Sequence, residues 1–321
     1  KKDLGYGKIF HKYQYFINKY HASSDELNWH FHPLSSTRQP LAAATSFSNS
    51  MDILLPTIAR RILDDEWFPV VNRPGFHSER IESSLFLEQW LPFDYANQFC
   101  LDQPSDQQDL SFGRFGDWRR SPAIWSGYHP HHDDYQSIGN CKRLIFRCLN
   151  VGTRHRCITQ QDVRDAFHQA RESGFAILAF SNHDYRDILE DVDYIRSLIS
   201  LVKKDFEDVH FLFSGAHQAA QQFLTNVKSL SLSPPPQFEL KIDQNRLIVE
   251  LKSGEMHSVT PFLAIKTNNN IYYHDNLDEI EYKKAWCYSF DEQTISLANI
   301  NQVGVGSAGL HGNYSTESLT L

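Results

Sequence analysis

No stretch of this 321-residue chain approaches the roughly 20 apolar residues that a membrane-spanning helix needs. The first 20 residues also lack the apolar core of a secretory signal. Neither a membrane span nor secretion is expected, and the chain reads as cytoplasmic. Basic residues are in the minority, 31 Lys and Arg against 39 Asp and Glu, and the net charge of -8 provides no electrostatic footprint for nucleic acid. Cysteine is sparse and unpaired in pattern. Cys100, Cys141, Cys148, Cys157 and Cys287 are scattered, odd in number and without a CxxC spacing, which fits reduced thiols better than a disulfide framework or a structural zinc site. Internal repeats are absent. The chain opens on Lys1 rather than methionine, so a segment upstream of it is one expectation.

What is present is organised around residues 25–33 (DELNWHFHP). Side chains alternate along a strand, so Trp29 and Phe31 are expected to enter packing while His30 and His32 share the opposite side. Two neutral imidazoles at one strand end are a good pair of ligands for zinc or a neighbouring divalent metal, and Pro33 ends the strand just beyond them.

Around this stretch the periodicity alternates between helix and strand. Helical spacing appears over residues 8–20, 48–63, 85–90, 191–204 and 216–227, with a further helix opening at Thr159 as N-cap and stopping at Gly174. Short apolar strands are expected at 67–71, 93–95, 142–150, 175–180 and 210–213. Residues 111–135 form a long irregular stretch rich in Trp, Arg, His and Asp, a pattern that belongs more often to function than to idle loop. Within it, His129, His131, His132, Asp133 and Asp134 read first as an exposed loop and second as a metal site. Three consecutive prolines, Pro234 to Pro236, mark a linker at 231–237. Beyond it the spacing changes to short strands separated by Asn, Asp and Gly turns. The expected architecture is a β/α barrel over residues 1–230 and a small antiparallel β-sandwich over 238–321.

In a β/α barrel the strand ends meet on one face, so His30 and His32, Arg73, and His183 with Asp184 are expected in one pocket. Glu79 offers Arg73 an alternative surface partner, and Asp94 a substitute carboxylate.

The succession of ELNWH up to His30, RPGF from Arg73, Asp117 with Trp118, and ILAFSNHD ending in His183 and Asp184 resembles the later motifs of the polysaccharide deacetylase (NodB-type) family, over roughly residues 8–215. The resemblance implies a distorted β/α barrel, a divalent metal held by one Asp and two His, and hydrolysis of acetamides on a carbohydrate substrate. It makes His30 the first metal histidine, Arg73 the arginine beside the base, Asp117 and Trp118 the pocket wall, and His183 the general acid. Two features depart from the family. Its Thr-Phe-Asp-Asp motif is not found before His30, and the position four residues after His30 is Leu34, leaving His32 to stand in. A base is then sought at Asp184 first and Asp117 second, and Trp118, Trp125 and Tyr128 are candidate walls for a flat sugar ring. Two other readings stay open: an amidohydrolase-like metal barrel using His-x-His, and a non-catalytic barrel that binds carbohydrate.

Overall fold

The computed structural model describes residues 6–21, 24–39, 44–100, 115–153, 156–183 and 186–321. The N-terminal part alternates helices with short parallel strands: α1 (Tyr6–Lys19), α2 (Met51–Asp65), β1 (Val71–Asn72), α3 (Ile81–Trp90), β2 (Phe93–Asn97), β3 (Leu144–Asn150), α4 (Gln160–Ser173), β4 (Ala179–Ser181), α5 (Ile188–Lys203) and α6 (Ala216–Asn226). Local chemistry accounts for several boundaries. Thr159 caps α4 by accepting from the Asp162 amide, while Asp162 returns a bond to the Thr159 amide, and Gly174 ends the helix at φ +81°. In α2, Leu54, Ile58 and Ile62 recur at helical spacing and are all buried.

The expected distorted β/α barrel is not formed. β1, β2, β3 and β4 make one parallel sheet in that order, and Trp29 adds a single parallel bridge to Asn72 at the β1 edge. Among the described residues the ladder is open at both ends. Residues 210–213, expected as a further strand, carry no strand pairing, and Phe211, Leu212 and Phe213 are exposed beyond β4. A barrel requires every strand to be paired on both sides, and these two edges are not joined.

Alternation divides the sheet into two faces. Val71, Phe93, Phe146 and Cys148 share one apolar cluster with Phe223 of α6 and with α2. Asn72 and Asp94, paired in register, lie on the opposite face. There Arg143 is wholly buried and bridges Glu79 at 2.7 Å and Asp94 at 2.6 Å. Glu79 is therefore no surface partner for Arg73. Burial first, and then the neighbouring Glu79 charge, push the Asp94 carboxyl well above the usual carboxylate range.

The C-terminal strands are β5 (Gln237–Asp243), β6 (Arg246–Ser253), β7 (Phe262–Thr267), β8 (Tyr272–Tyr273), β9 (Asp278–Glu281), β10 (Ala285–Ser289), β11 (Ile300–Ala308) and β12 (Tyr314–Thr320). They form two four-stranded antiparallel sheets, β5-β6-β10-β9 and β12-β11-β7-β8, with Leu247, Val249 and Trp286 of one packed with Leu263, Ile265 and Val305 of the other. The second sheet has its reverse face on the N-terminal part: Phe262, Ala264 and Ala308 belong to the same core cluster as Ile58 and Ile62 of α2. Asp64 at the end of α2 accepts from Lys266 at 2.9 Å and from the Tyr272 hydroxyl at 2.6 Å. The proline segment is tied down as well, since the Ser233 amide donates to His311 at 2.9 Å and Asn313 donates to the Ser233 carbonyl at 2.9 Å. Among the described residues no helix is long and apolar enough to cross a membrane.

His257 lies in this junction, buried, with Nε2 at 3.0 Å from the Glu88 carbonyl of α3. Burial first, and then the Lys142 charge, lower its pKa from 6.5 to about 3. Between those two values the unfolded chain binds a proton that the folded chain does not, so stability is full above pH 6.5 and declines as the pH falls. The slope is about 1.4 kcal/mol per pH unit. Urea unfolding at pH 6.5 and 4.5 should therefore show a loss about 2 to 3 kcal/mol larger for the wild type than for His257→Gln, and equal losses would remove His257 from the acid sensitivity.

Candidate functional site

His30 and His32 reach the C-terminal end of the parallel sheet on a segment hydrogen-bonded to the chain around β1. The Trp29 amide donates to the Val71 carbonyl at 2.9 Å, the Arg73 amide to Trp29 at 2.9 Å, and the Gly75 amide to Phe31 at 2.8 Å. This parallel pairing fixes the alternation. Trp29 and Phe31 stack on each other at 6.1 Å, with Trp67 and Phe47 continuing the packing. The His30 and His32 rings then stand together with centroids 4.9 Å apart, nearly perpendicular.

The two imidazoles are kept neutral. Burial, followed by the charges of His32 and Arg73, lowers the His30 pKa to about 4. His32 is lowered too, by burial first and then by His183 and Arg73. Both residues are nevertheless exposed to solvent. His30 Nδ1 meets the Arg73 carbonyl at 2.5 Å, which fixes it as the protonated nitrogen and leaves the Nε2 lone pair free to bind. His32 packs edge-on against Phe76 at 4.8 Å and lies directly over Gly75.

Arg73 joins strand ends that are distant in sequence. Its Nη2 donates to Ser181 Oγ of β4 at 2.8 Å and to Asn150 Oδ1 of β3 at 3.4 Å. Gln98, just past β2, donates to the same Asn150 oxygen at 3.1 Å and accepts from Arg156 at 3.2 Å. Asn150 and Ser181 are register partners and lie on the face that carries Phe146 and Cys148. His183, exposed at the end of β4, is near enough for its charge to act on His30, His32 and His77. His30, His32, Arg73 and His183 thus lie near one another at one end of an open sheet.

Other expected residues lie elsewhere. Asp184 falls outside the described residues. Asp117 is bound to Arg119, with Oδ2 at 2.9 Å from Nη2; burial raises its pKa, but the Arg119 bonds outweigh this and leave it below the ordinary value. Trp118, Trp125 and Tyr128 are all buried and present no open ring face to a sugar. Trp118 Nε1 donates to the His77 carbonyl at 2.9 Å, Trp125 lies under the Arg147 guanidinium at 4.1 Å, and the Tyr128 hydroxyl donates to the Tyr135 carbonyl at 2.7 Å. Asp94 belongs to the buried Arg143 pair on the opposite face. In the histidine loop, His131 Nδ1 accepts from the Asp133 amide at 3.1 Å and Asp134 binds Arg120 at 2.7 Å.

His77, Asn150, Ser181 and Gln98 were not singled out from the sequence. His77 is buried, its ring contacts the Arg73 guanidinium, and burial followed by Arg73 lowers its pKa well below 6.5. Its backbone is left-handed at φ +47°, after Phe76 at +57°. For residues with a Cβ this region costs roughly 1–2 kcal/mol each.

For a divalent metal, the donor chemistry fits in kind: two neutral imidazoles, one with its tautomer fixed by a backbone carbonyl. Among the described residues no group of three or more His, Cys, Asp or Glu is arranged to hold an ion.

No family model matches the chain, and no curated protein matches it. Two solved structures show a weak likeness, both of wild-type OgpA from Akkermansia muciniphila in different crystal forms. They are 11% and 10% identical, cover 93% of this chain and 93% and 92% of their own, and superpose with a TM-score of 0.19, a value that carries no argument about fold or function.

The close seat of His32 on Gly75 is open to test. A Cβ at Gly75 would stand 2.3 Å from His32 Cγ, so Gly75→Ala should displace that ring. The His32 imidazole resonances should shift while those of His274, in the sandwich, stay in place; an unmoved His32 signal would show that the ring has room.

Proposed function

We propose that the chain is a metal-dependent hydrolase that removes an acyl group, such as acetyl, from an N-acylated sugar. The observation that carries this reading is the pair of neutral imidazoles, His30 and His32, held side by side at the C-terminal end of parallel strands with Arg73 and His183 at the same mouth. In this reading His30 Nε2 and His32 hold a divalent ion, zinc in the first instance. Such an ion lowers the pKa of a bound water and polarises an amide carbonyl. The Arg73 carbonyl orients His30, and the Arg73 guanidinium keeps the ends of β1, β3 and β4 together beneath the substrate. The attacking water gives its proton to solvent, and His183, exposed beside the pair, supplies a proton to the departing amine nitrogen as the C–N bond breaks. Asp117, bound to Arg119, is not assigned the part of base.

Metal content and acyl release test these roles separately. Protein produced with zinc or cobalt should carry the ion and release acetate from N-acetylated oligosaccharides. His30→Ala and His32→Ala should lose the ion while keeping the far-UV spectrum of the fold. His183→Asn should keep the ion and lose turnover by about 100-fold or more, the range for removing a general acid. Retention of the ion by both alanine variants, or no acyl release from metal-loaded protein across a broad sugar panel, would sink the proposal, and sugar binding without turnover would favour a carbohydrate-binding role.

A further inference from the structure

Phe76 and His77 occupy consecutive left-handed backbone positions, although neither is glycine or asparagine. Residues so placed persist only where their surroundings hold them, and they concentrate where a side chain has to be aimed. Both conditions are met here. From behind, the Gly116 amide donates to the Phe76 carbonyl at 3.2 Å and Trp118 Nε1 donates to the His77 carbonyl at 2.9 Å. The fit is close, since a Cβ on Gly116 would fall 1.8 Å from the His77 oxygen. From the front, the buried His77 ring lies against both terminal nitrogens of Arg73. One of them, Nη2, also carries the bonds that reach Ser181 and Asn150 across the sheet.

We infer that His77 is a positioning residue for Arg73: the strained turn, clamped by Gly116 and Trp118, aims the His77 ring at the guanidinium and holds it toward Ser181. A buried histidine serving only as filler would leave the motion of Arg73 independent of the ring's identity. Guanidinium motion therefore distinguishes the two roles. In arginine-labelled wild-type protein, rotation about the Arg73 Cζ–Nε bond should be hindered. In His77→Asn, which suits a left-handed backbone but cannot reach, rotation should be at least tenfold faster at an unchanged melting temperature, and His77→Gln, with its longer amide, should restore part of the hindrance. Unchanged rotation in a folded His77→Asn protein would overturn the inference. Free rotation of Arg73 in the wild type would also overturn it, whether or not any variant folds.

The kinetic arm rests on the proposed hydrolase. There His77→Asn should lower kcat about tenfold, leave KM within twofold and keep the metal content. A fall in stability alone, with kcat and rotation unchanged, would overturn the assignment. Absence of acyl release in the wild type counts against the hydrolase, while the rotation measurement still decides the role of His77.

Discussion

Arg143 holds the sheet and the turn behind the site in one arrangement. Its guanidinium binds Asp94 of β2, Glu79 just past the site turn and Ser84 of α3, all in the interior. Its amide and that of Lys142 both donate to the Glu88 carboxylate of α3. One side chain thus fixes two strands, a turn and a helix. The cluster contains two carboxyls and one guanidinium, and burial with Glu79 drives Asp94 toward its neutral form, so the buried charge comes close to balance. Loss of the arginine would leave an acidic pair uncompensated, a defect worth roughly 3–5 kcal/mol in buried ion pairs.

The two faces of the sheet have opposite electrostatic character. The Arg143 face encloses its carboxyls and presents none of them to the mouth. On the other face Arg73, Arg156, His30, His32, His77 and His183 converge, with Gln98, Asn150 and Ser181 supplying neutral hydrogen bonds among them. Three of those histidines lose proton affinity first through burial and then through one another and the arginines. His30 and His32 are therefore neutral near neutral pH, the state that binding to a metal requires, while the His77 ring is taken up by Arg73.

Much of this architecture was legible where the chemistry is local. The Thr159 cap, the Gly174 stop and the alternation of Trp29, His30, Phe31 and His32 each depend on a few neighbouring residues, and each appears where the sequence places it. Closure of the barrel was not legible, because pairing at a sheet edge depends on distant partners, and the apolar run Phe211, Leu212, Phe213 reads like a strand whether or not one is beside it. The identities of ion partners were hidden for the same reason. Glu79 reads as a surface acid from its neighbours, yet it meets Arg143 in the interior. Asp117 sits in a loop that could fold over a site, but Arg119 two residues away claims it. Trp118 had a signal in its motif but not its orientation, and it serves the site from behind, through the His77 carbonyl.

The site turn also reverses the usual assignment of glycine and bulky residues. Gly75 stands where the backbone is ordinary, and its missing Cβ makes room for the His32 ring. Phe76 and His77 stand where a glycine would remove the strain, and each carries a ring to the site, one against His32 and the other against Arg73. Glycine at either position would relieve the strain but would remove the ring contact and add conformational entropy to the unfolded chain. Here the rings are kept and the strain is offset by the bonds from Gly116 and Trp118. That exchange of backbone comfort for aimed side chains sets the segment 73–77 apart from Gly174, where the same left-handed region is occupied by the residue that suits it and only a helix has to end.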